Sequence, residues 1–302
     1  ENLLAVQDRK SKGTYYTPRE IVHYMCQESL ASYLATELEG KVIKEDTETL
    51  IKYGEAVVEH DSRVVNEGRE TERYSFKLPQ SVRDHAELID DKLASIRVCD
   101  PAVGSGAFPV GMMNEIVRAR NTLTSYIGIN GKRSPYNFKR QAIQHCLYGV
   151  DIDPGAVEIA KLRLWLSLVV DEEDRETIQP LPNLDYKIVQ GNSLLSVEKN
   201  LFNAAQFRKL EELKPLFFNE ASASKKQKYR DQIDELISQI TNGHKDFDFE
   251  VYFSEVFHEK KGFDVVIANP PYIDHIKLKS INNQLKRFYV YSGTAGLYVY
   301  FF

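Results

Sequence analysis

Residues 96–120 read IRVCDPAVGSGAFPVGMMNEIVRAR, and this stretch decides the fold. Its first five residues, IRVCD, are typical of a short buried strand. Gly104 and Gly106 follow in DPAVGSGAF, where glycine allows a tight turn and a close approach of the backbone to a ligand. The stretch from Ala107 onward favours a helix. Together these residues predict a strand, a glycine turn and a helix, which is the repeating unit of a parallel α/β sheet.

The same unit recurs along the chain. CLYGVDIDP at 146–154 predicts a second strand and turn, and GAVEIAKLRLWLSLVV at 155–170 predicts an apolar helix. YKIVQGNSL at 186–194 predicts a third strand and turn, and FDVVIAN at 263–269 a fourth strand. We therefore predict an α/β fold with a doubly wound, Rossmann-like sheet, in which ligands bind at the carboxyl ends of the strands.

The segments around this sheet carry helical and loop signals. Residues 18–36 predict a helix that begins with Pro18, and the charged residues 40–92 predict a partly irregular helical insertion. GINGKRSPYN at 128–137 predicts a loop. The aromatic stretch at the end of the chain is interpreted as a helix or the next strand.

A helical hairpin interrupts the alternation before the fourth strand. NEASAS at 219–224 predicts its turn, and Gly243 is a plausible helix stop. Apolar residues at helical spacing mark one face of its second helix: Ile233, Leu236, Ile237 and Ile240. We divide the chain into an N-terminal helical segment, 1–95, and a core, 96–302, with the helical insert at about 199–245.

Composition narrows the class of protein. The net charge is −5, from 39 Lys and Arg against 44 Asp and Glu, which does not indicate an overall basic nucleic-acid binder. Three well-separated cysteines argue against a disulfide scaffold or a zinc site and fit a reducing cytoplasm. No leader and no membrane-spanning apolar run is found, so we expect no membrane association. The chain begins without Met and ends in LYVYFF, so we interpret it as a piece of a longer protein.

The glycine turn indicates the kind of cofactor. Pro109 stands where a dinucleotide site would have a third glycine, and there is no Gly-Lys-Ser/Thr of a Walker loop. The turn instead begins with Asp100 and Pro101, and an acidic residue suits a cationic ligand better than a pyrophosphate. S-adenosyl-L-methionine has an ammonium group, a sulfonium and no phosphate. The alternative is an ordinary strand–helix turn.

Two further strand ends carry candidate nucleoside contacts. Asp151 can accept hydrogen bonds from both ribose hydroxyls, and Ile152 could pack on an adenine ring. Asp153 is either an alternative ribose partner or the cap of the following helix. Asn192 and Ser193 follow the third strand, where a short amide can contact the adenine edge or form a turn.

The fourth strand runs into Asn269, Pro270, Pro271 and Tyr272. The carboxamide oxygen of Asn269 and the carbonyl of Pro270 are two acceptors that could hold both hydrogens of a planar amino group. This grip would draw the nitrogen toward a tetrahedral shape, ready to attack a sulfonium methyl group in line. Tyr272 offers a face for stacking, worth about 1–3 kcal/mol for a nucleobase. A proline turn alone would not explain the flanking Asn and Tyr.

Taken in order, DPAVGSGAF, YGVDIDP, GNSLL and NPPY resemble the N6-adenine DNA methyltransferases. The upstream GTYYTP at 13–18 is similar to the element that closes over the methionine end of the cofactor in that family. LYGVDIDPGAVEIAKLRLWLSL, the helical insert and GFDVVIANPPYI resemble more closely the methylase segment of Type IIG restriction–modification enzymes. The similarity covers most of the chain except about residues 37–93.

The resemblance implies a role for each matching residue. Tyr16 and Thr17 would hold the methionine moiety, Asp151 the ribose, and Ile152 and Asn192 the adenine of the cofactor. It implies that Tyr272 stacks on a base flipped out of double-stranded DNA. The remaining cofactor-lining residues would be Asp100, Pro101, Ala102, Gly104, Gly106 and Ser193. The family often has Asp at the position of Asn192, and this departure weakens the assignment of the adenine contact more than the expectation of cofactor binding.

Several questions stay open at this point. No target-recognition domain and no nuclease motif is recognisable, so the resemblance implies that both lie outside this chain. Protein-glutamine methylation, RNA adenine methylation, N4-cytosine methylation and a non-catalytic scaffold are the alternative functions. Two basic groups could contact the DNA backbone or form solvated helix faces: Lys277, Lys279, Lys286 and Arg287, and Lys225, Lys226, Lys228 and Arg230.

Overall fold

A small parallel sheet lies at the centre of the fold. The computed structural model describes residues 17–69, 71, 76–128, 133–170, 183–194, 204–220, 222–243, 246–274, 285–286, 288–292 and 294–301. Within them, four strands pair in the order β3-β2-β1-β4, and all pairs are parallel. The strands are β1, Val98–Asp100; β2, Leu147–Asp151; β3, Ile188–Gln190; and β4, Val265–Val266.

The register brings the carboxyl ends of the strands together. Val98 of β1 pairs with Leu147 of β2 on one side and with Val265 of β4 on the other. Gly149 of β2 pairs with Ile188 of β3. Since all four strands run in the same direction, the segments that follow them emerge at one edge of the sheet. The four strands lie in the four segments predicted as strands.

Helices cover both faces of the sheet. Val98, Leu147 and Ile188 belong to a core cluster that they share with the N-terminal helices. Cys99 and Tyr148 belong to a second cluster, which they share with the helices of the insert. Neighbouring residues of a strand point to opposite faces, so β1, β2 and β3 contribute to both cores. The fold is therefore mixed α/β, with the sheet as its middle layer.

The N-terminal part is helical, as predicted. Its helices are α1, Arg19–Glu37; α2, Lys44–Asn66; α3, Gln80–Asp84; and α4, Ala86–Ser95. Over 40–92 the described residues are helices separated by turns, as predicted, and α2 is continuous because its buried residues Leu50, Gly54 and Val57 recur at helical spacing. Gly54 allows a close approach, since a Cβ there would lie 3.1 Å from Thr122 Cγ2. The domain boundary after residue 95 stays a prediction.

The helices that follow β1 and β2 differ in part from the prediction. They are α5, Ala107–Ile127; α6, Pro135–Gln141; and α7, Pro154–Val169, with a π-helical turn over Ala142–Cys146 before β2. The loop prediction for 128–137 is wrong over 135–137, which form the first turn of α6. The Ser134 hydroxyl accepts a hydrogen bond from the Asn137 N–H at 3.2 Å, and Pro135 occupies the first turn. Residues 129–132 lie outside the described ranges.

The insert forms the predicted hairpin of two helices. They are α8, Ala204–Asn219, and α9, Ala223–Ile240, and the four predicted apolar residues of α9 are buried. Two short helices that were not predicted, α10, Phe249–Tyr252, and α11, Ser254–Lys260, connect the hairpin to β4. The final described segment, Leu297–Phe301, is a 3₁₀ turn. The insert residues 199–203 and 244–245 lie outside the described part of the chain.

Two charged groups lie in the core: the Asp90 carboxylate, which pairs with two guanidinium groups, and the buried Lys187 ammonium. Asp90 of α4 accepts hydrogen bonds from Arg120 Nε at 2.9 Å and from Arg133 Nη1 at 2.8 Å. Lys187, before β3, is buried and donates to the Tyr148 hydroxyl at 2.7 Å. Burial lowers the pKa of Lys187 to about 8, because a desolvated ammonium is disfavoured.

The three cysteines are free thiols, and all are buried. In the described part of the chain, no group of three or more His, Cys, Asp and Glu side chains is arranged to hold a metal ion. The described helices likewise include none with the length and apolar character needed to cross a membrane.

Candidate active site at the carboxyl edge of the sheet

The predicted site residues lie at the ends of neighbouring strands. Asn192 follows β3, Asp151 ends β2, Asp100 ends β1 and Asn269 follows β4. Because the spatial order is β3-β2-β1-β4, the four motifs line one edge of the sheet in that order. The parallel topology thus brings together segments that are far apart in sequence, since Asp100 and Asn269 are separated by 169 positions.

The glycine loop after β1 is shaped by backbone conformation and by close packing. Gly104 and Gly106 have φ of 50° and 82°, a region that favours glycine. A Cβ at Gly106 would lie 3.0 Å from Ala160 Cβ of α7, so the loop sits tightly against that helix. The Val103 N–H donates to the Val150 carbonyl at 2.9 Å and ties the loop to β2.

Asp151 is held by the backbone of two different loops. Its Oδ2 accepts a hydrogen bond from the Gly104 N–H at 2.8 Å, and its Oδ1 accepts one from the Asp153 N–H at 2.9 Å. Each carboxylate oxygen can accept a further bond, so the group can still receive two ligand hydroxyls. Asp153 caps α7 by accepting from the Gly155 N–H at 2.8 Å, so of its two predicted roles the structure has the cap. Beside Asp151, Ile152 is 67% exposed.

Asp100 is a buried acid at the start of the glycine loop. It is 2% exposed, and its Oδ1 accepts from the Ala102 N–H at 3.0 Å. Burial, together with the negative charge of Asp151, raises the pKa of Asp100 to about 8, although the Ala102 hydrogen bond opposes this shift. At neutral pH Asp100 is therefore mostly protonated, and a cation bound beside it would favour its carboxylate form.

The loop after β3 is fastened to the glycine loop. The Ser193 hydroxyl donates to the carbonyl of Pro101, so it bridges the segments that follow β3 and β1. Asn192 Oδ1 accepts from the Leu194 N–H at 3.1 Å, which is the turn predicted as one alternative for this residue. Its Nδ2 is the end of the amide that this turn does not use. Asn192 thus offers its N–H donors to a ligand, and its oxygen keeps a second lone pair.

The Asn-Pro-Pro-Tyr loop begins where β4 ends. The Ile267 N–H donates to the Cys99 carbonyl at 3.0 Å, and Pro270 is buried. The Pro271 carbonyl accepts from the Ile273 N–H at 3.1 Å, which closes a tight turn around Tyr272. The Tyr272 ring is 55% exposed and lies against the ring of Tyr298, with 5.4 Å between centroids.

Asn269 makes a contact that the sequence did not predict. Its Nδ2 donates a hydrogen bond to Thr17 Oγ1 at 2.9 Å, although the two residues are 252 positions apart. The N-terminal element and the Asn-Pro-Pro-Tyr loop were each predicted, but their direct contact was not. Tyr16, the other residue predicted in this element, lies outside the described ranges.

Arg163 of α7 was also missed. Its Nη1 donates to the carbonyl of Ser105 at 2.9 Å and to the Ser105 hydroxyl at 3.2 Å. The guanidinium therefore braces the glycine loop from the neighbouring helix. The available signal was a charged residue within the otherwise apolar stretch LRLWLSL of that helix.

The side chains at this edge of the sheet suit a cationic nucleoside better than a phosphate ligand. Asp100 can ionise beside a bound cation, Asp151 retains acceptor sites for hydroxyls, and Ile152 offers an exposed apolar surface. Such a set matches the groups of S-adenosyl-L-methionine: two cationic centres, a ribose and an adenine.

A cavity of about 600 Å³ borders the same edge. Pro101 and Ser193 line it together with the rings of Phe249 and Tyr300. Neither Thr17 nor the four residues 269–272 are among its lining residues. The strand ends therefore define the candidate site. The cavity lies on the face of the sheet that packs against Phe249, Phe257 and Phe263.

The basic residues predicted as possible DNA contacts are only partly described. Lys277, Lys279 and Arg287 lie outside the described part of the chain. On α9, Arg230 forms an ion pair with Asp185, and the Lys226 ammonium lies 5.2 Å from the centroid of the Phe217 ring. These two side chains support the packing of the insert.

Comparisons with known proteins bear on the same segments. The sequence profile of the Eco57I restriction-modification methylase family matches residues 145–302, which include Asp151, Asn192 and Asn269. A protein of Methanocaldococcus jannaschii, named as a type II restriction enzyme and methyltransferase, is 32% identical over 207 residues. This alignment covers 66% of the chain and 16% of the relative, so the chain spans a small part of that relative's length.

Proposed function

The chain belongs to the Eco57I restriction-modification methylase family, and on this premise we propose that it transfers a methyl group from S-adenosyl-L-methionine to the N6 amino group of an adenine in DNA. One observation carries this proposal. The residues suited to the cofactor, Asp151 and Asp100, and the residue suited to the amine, Asn269, lie at the carboxyl ends of three adjacent strands, β2, β1 and β4. A methyl donor and an amine bound at these strand ends would meet in one cleft.

Asn269 and Pro270 would hold the target amino group. The carboxamide oxygen and the Pro270 carbonyl each accept one hydrogen of the amine, and this arrangement directs the nitrogen lone pair out of the ring plane. When bound, the cofactor supplies a methyl group on a positively charged sulfur. The nitrogen forms its new bond to this carbon as the carbon–sulfur bond breaks, and the nitrogen then releases a proton to solvent.

The other strand ends would hold the cofactor and the base. Asp151 accepts from the ribose hydroxyls, Ile152 covers the adenine face, and Asn192 donates to its edge. Asp100 provides charge complementary to the cationic end. The exposed ring of Tyr272 stacks on the flipped target base.

We infer three wider features from the same premise. The parallel order β3-β2-β1-β4, with helices on both faces, supports a doubly wound, Rossmann-like sheet. The partner is double-stranded DNA, and target recognition and any nuclease belong to regions outside this chain, as the name and length of the M. jannaschii relative suggest. Free, buried thiols fit a reducing, cytoplasmic setting.

The test uses the full-length gene product that contains this chain. It is incubated with S-adenosyl-L-methionine and unmethylated DNA, the DNA is digested to nucleosides, and the products are identified by mass spectrometry. N6-methyldeoxyadenosine is expected for the wild type and for Asn114→Ala, which changes an exposed asparagine of α5. It should be absent with Asn269→Ala, whose cofactor affinity by calorimetry should equal that of the wild type.

Other outcomes identify the alternative functions. Methylation of cytosine, of RNA or of a protein glutamine by the wild type would refute the adenine assignment. Methyl transfer that survives Asn269→Ala would refute the mechanism.

A further inference from the structure

We propose that Thr17 is a positioning residue for methyl transfer, and that its hydroxyl holds the Asn269 carboxamide in the orientation that binds the target amine. The observation is the hydrogen bond from Asn269 Nδ2 to Thr17 Oγ1 at 2.9 Å, which joins the start of α1 to the loop after β4. The inference rests on the proposed function, because it assigns Asn269 to the grip on the target amine.

The chemistry of an amide makes its orientation matter. A carboxamide has an oxygen end that only accepts hydrogen bonds and a nitrogen end that only donates them. The hydrogens of a target amino group need the oxygen end. With Nδ2 directed at Thr17, the oxygen of Asn269 lies on the opposite side of the amide and remains an acceptor. A half-turn of the amide would let its oxygen accept from the Thr17 hydroxyl, but it would also turn the amide N–H groups toward the N–H groups of the target amine. Only the observed orientation serves the reaction.

Thr17 is held in place by the packing of α1. The carbonyl of Pro18 accepts from the Val22 N–H at 3.1 Å, so the turn that carries Thr17 continues directly into the helix. Val22 packs against Gly111 of α5 so closely that a Cβ on Gly111 would lie 2.5 Å from Val22 Cγ1. Further along α1, Gln27 Nε2 donates to Glu115 Oε2 of α5 at 3.2 Å.

The same helix α5 begins directly after the glycine loop at Gly106. Thr17 is therefore attached, through α1 and α5, to the body that carries the cofactor-binding loop. The hydrogen bond to Asn269 fixes the position of the amine-binding loop relative to the cofactor-binding loop. Thr17 thus connects the cofactor-binding loop after β1 with the amine-binding loop after β4.

This role differs measurably from the role that sequence resemblance implies, which is direct contact with the methionine moiety. A cofactor contact acts on cofactor affinity. A residue that orients Asn269 acts on the rate of methyl transfer when the cofactor is saturating, and it leaves cofactor affinity unchanged.

The experiment measures single-turnover methyl transfer to DNA by the full-length gene product at saturating cofactor, with cofactor affinity measured separately by calorimetry. Thr17→Val, which removes the hydroxyl at nearly constant shape, should lower the rate about tenfold and change cofactor affinity by less than about twofold. Thr17→Ser, which keeps the hydroxyl, should stay within about threefold of the wild-type rate. Thr36→Val is the matched control on the same helix, because the Thr36 hydroxyl only donates to the Ser32 carbonyl at 3.1 Å.

Each outcome decides the proposal. A wild-type rate for Thr17→Val, an equal loss in the Val and Ser variants, or a loss confined to cofactor affinity would overturn it. Thermal melting checks that Thr17→Val is folded, and Thr17→Ala is a second hydroxyl-free variant should it not be. A wild type that binds cofactor but methylates no adenine would refute both the proposed function and the role of Thr17. Adenine methylation at equal rates by the wild type and Thr17→Val would refute the role of Thr17 alone.

Discussion

Asp100 should make cofactor binding depend on pH in a predictable way. In the free protein its pKa is about 8, because the carboxyl is 2% exposed and lies near Asp151. A bound cation favours the carboxylate and returns the pKa toward its ordinary range. Binding at neutral pH must therefore remove a proton from Asp100.

The size of the effect follows from the pKa. At pH 7 about nine-tenths of the free protein carries the Asp100 proton, and removing it weakens binding by about elevenfold, or about 1.4 kcal/mol. At pH 9 the corresponding factor is about 1.1. Cofactor affinity that arises from Asp100 should thus increase about tenfold between pH 7 and pH 9.

The assay compares the wild type with Asp100→Asn at pH 7, 8 and 9 by calorimetry. Asn keeps an oxygen that accepts from the Ala102 N–H but cannot ionise. The α-amino group of the cofactor also titrates near pH 7.7–8.0, so the informative quantity is the affinity ratio of the two proteins at each pH. This ratio should rise about tenfold, and at pH 7 the wild type should release about 0.9 proton more per cofactor bound than Asp100→Asn.

A ratio that stays constant from pH 7 to pH 9, or equal proton release by both proteins, would refute the reasoning. Either result would mean that the charge of Asp100 does not act on the bound cofactor.

Three further predictions concern stability, each measured by urea unfolding. Gly106→Ala should lower the free energy of unfolding by about 2 kcal/mol, because position 106 has a positive φ and a close contact to Ala160. Gly243→Ala is the control: position 243 has a positive φ but open space around it, so the loss should be about 1 kcal/mol. Equal losses in the two variants would contradict the effect of the close contact. Asp90→Ala should cost about 3–5 kcal/mol, because it leaves two buried guanidinium groups without their carboxylate, and a loss below about 1 kcal/mol would count against the network. The folded-state pKa of Lys187, about 8, lies below its ordinary value of 10.5, so the buried ammonium destabilises the folded state below pH 8 and this cost disappears as the pH rises from 8 to 10.5. The free energy of unfolding of the wild type should therefore increase by about 3 kcal/mol relative to that of Lys187→Met over this range. Parallel pH profiles of the two proteins would exclude the effect.

Local patterns in the sequence predicted the local structure well. The strands and the glycine turn at Gly104 were recognisable because each depends on a few adjacent residues. The hairpin face of α9 was recognisable because helical spacing is also a local property. The short turn of α6 was missed although Ser134 and Pro135 are typical of a helix start, because Gly, Asn, Ser and Pro together also favour a loop.

Contacts between distant segments could not be predicted in the same way. Nothing near Thr17 in the sequence indicates that its hydroxyl meets Asn269, and nothing in α7 indicates that Arg163 reaches the glycine loop. The raised pKa of Asp100 likewise depends on its burial and on Asp151, which are properties of the folded sheet. The roles of the site residues in cofactor and amine binding stay predictions that the proposed variants test.

The central position of β1 has a consequence for how the protein is made. Its two partners are β2 and β4, and on the β4 side the Arg97 N–H donates to Asp264 Oδ2, a residue 167 positions later. At a ribosomal rate of about 5–20 residues per second, β4 leaves the ribosome about 8–33 s after β1. During that interval β1 has one unpaired edge, which is a surface prone to aggregation. The nascent chain should therefore depend on chaperones until β4 pairs, and the candidate site should form only at that last step.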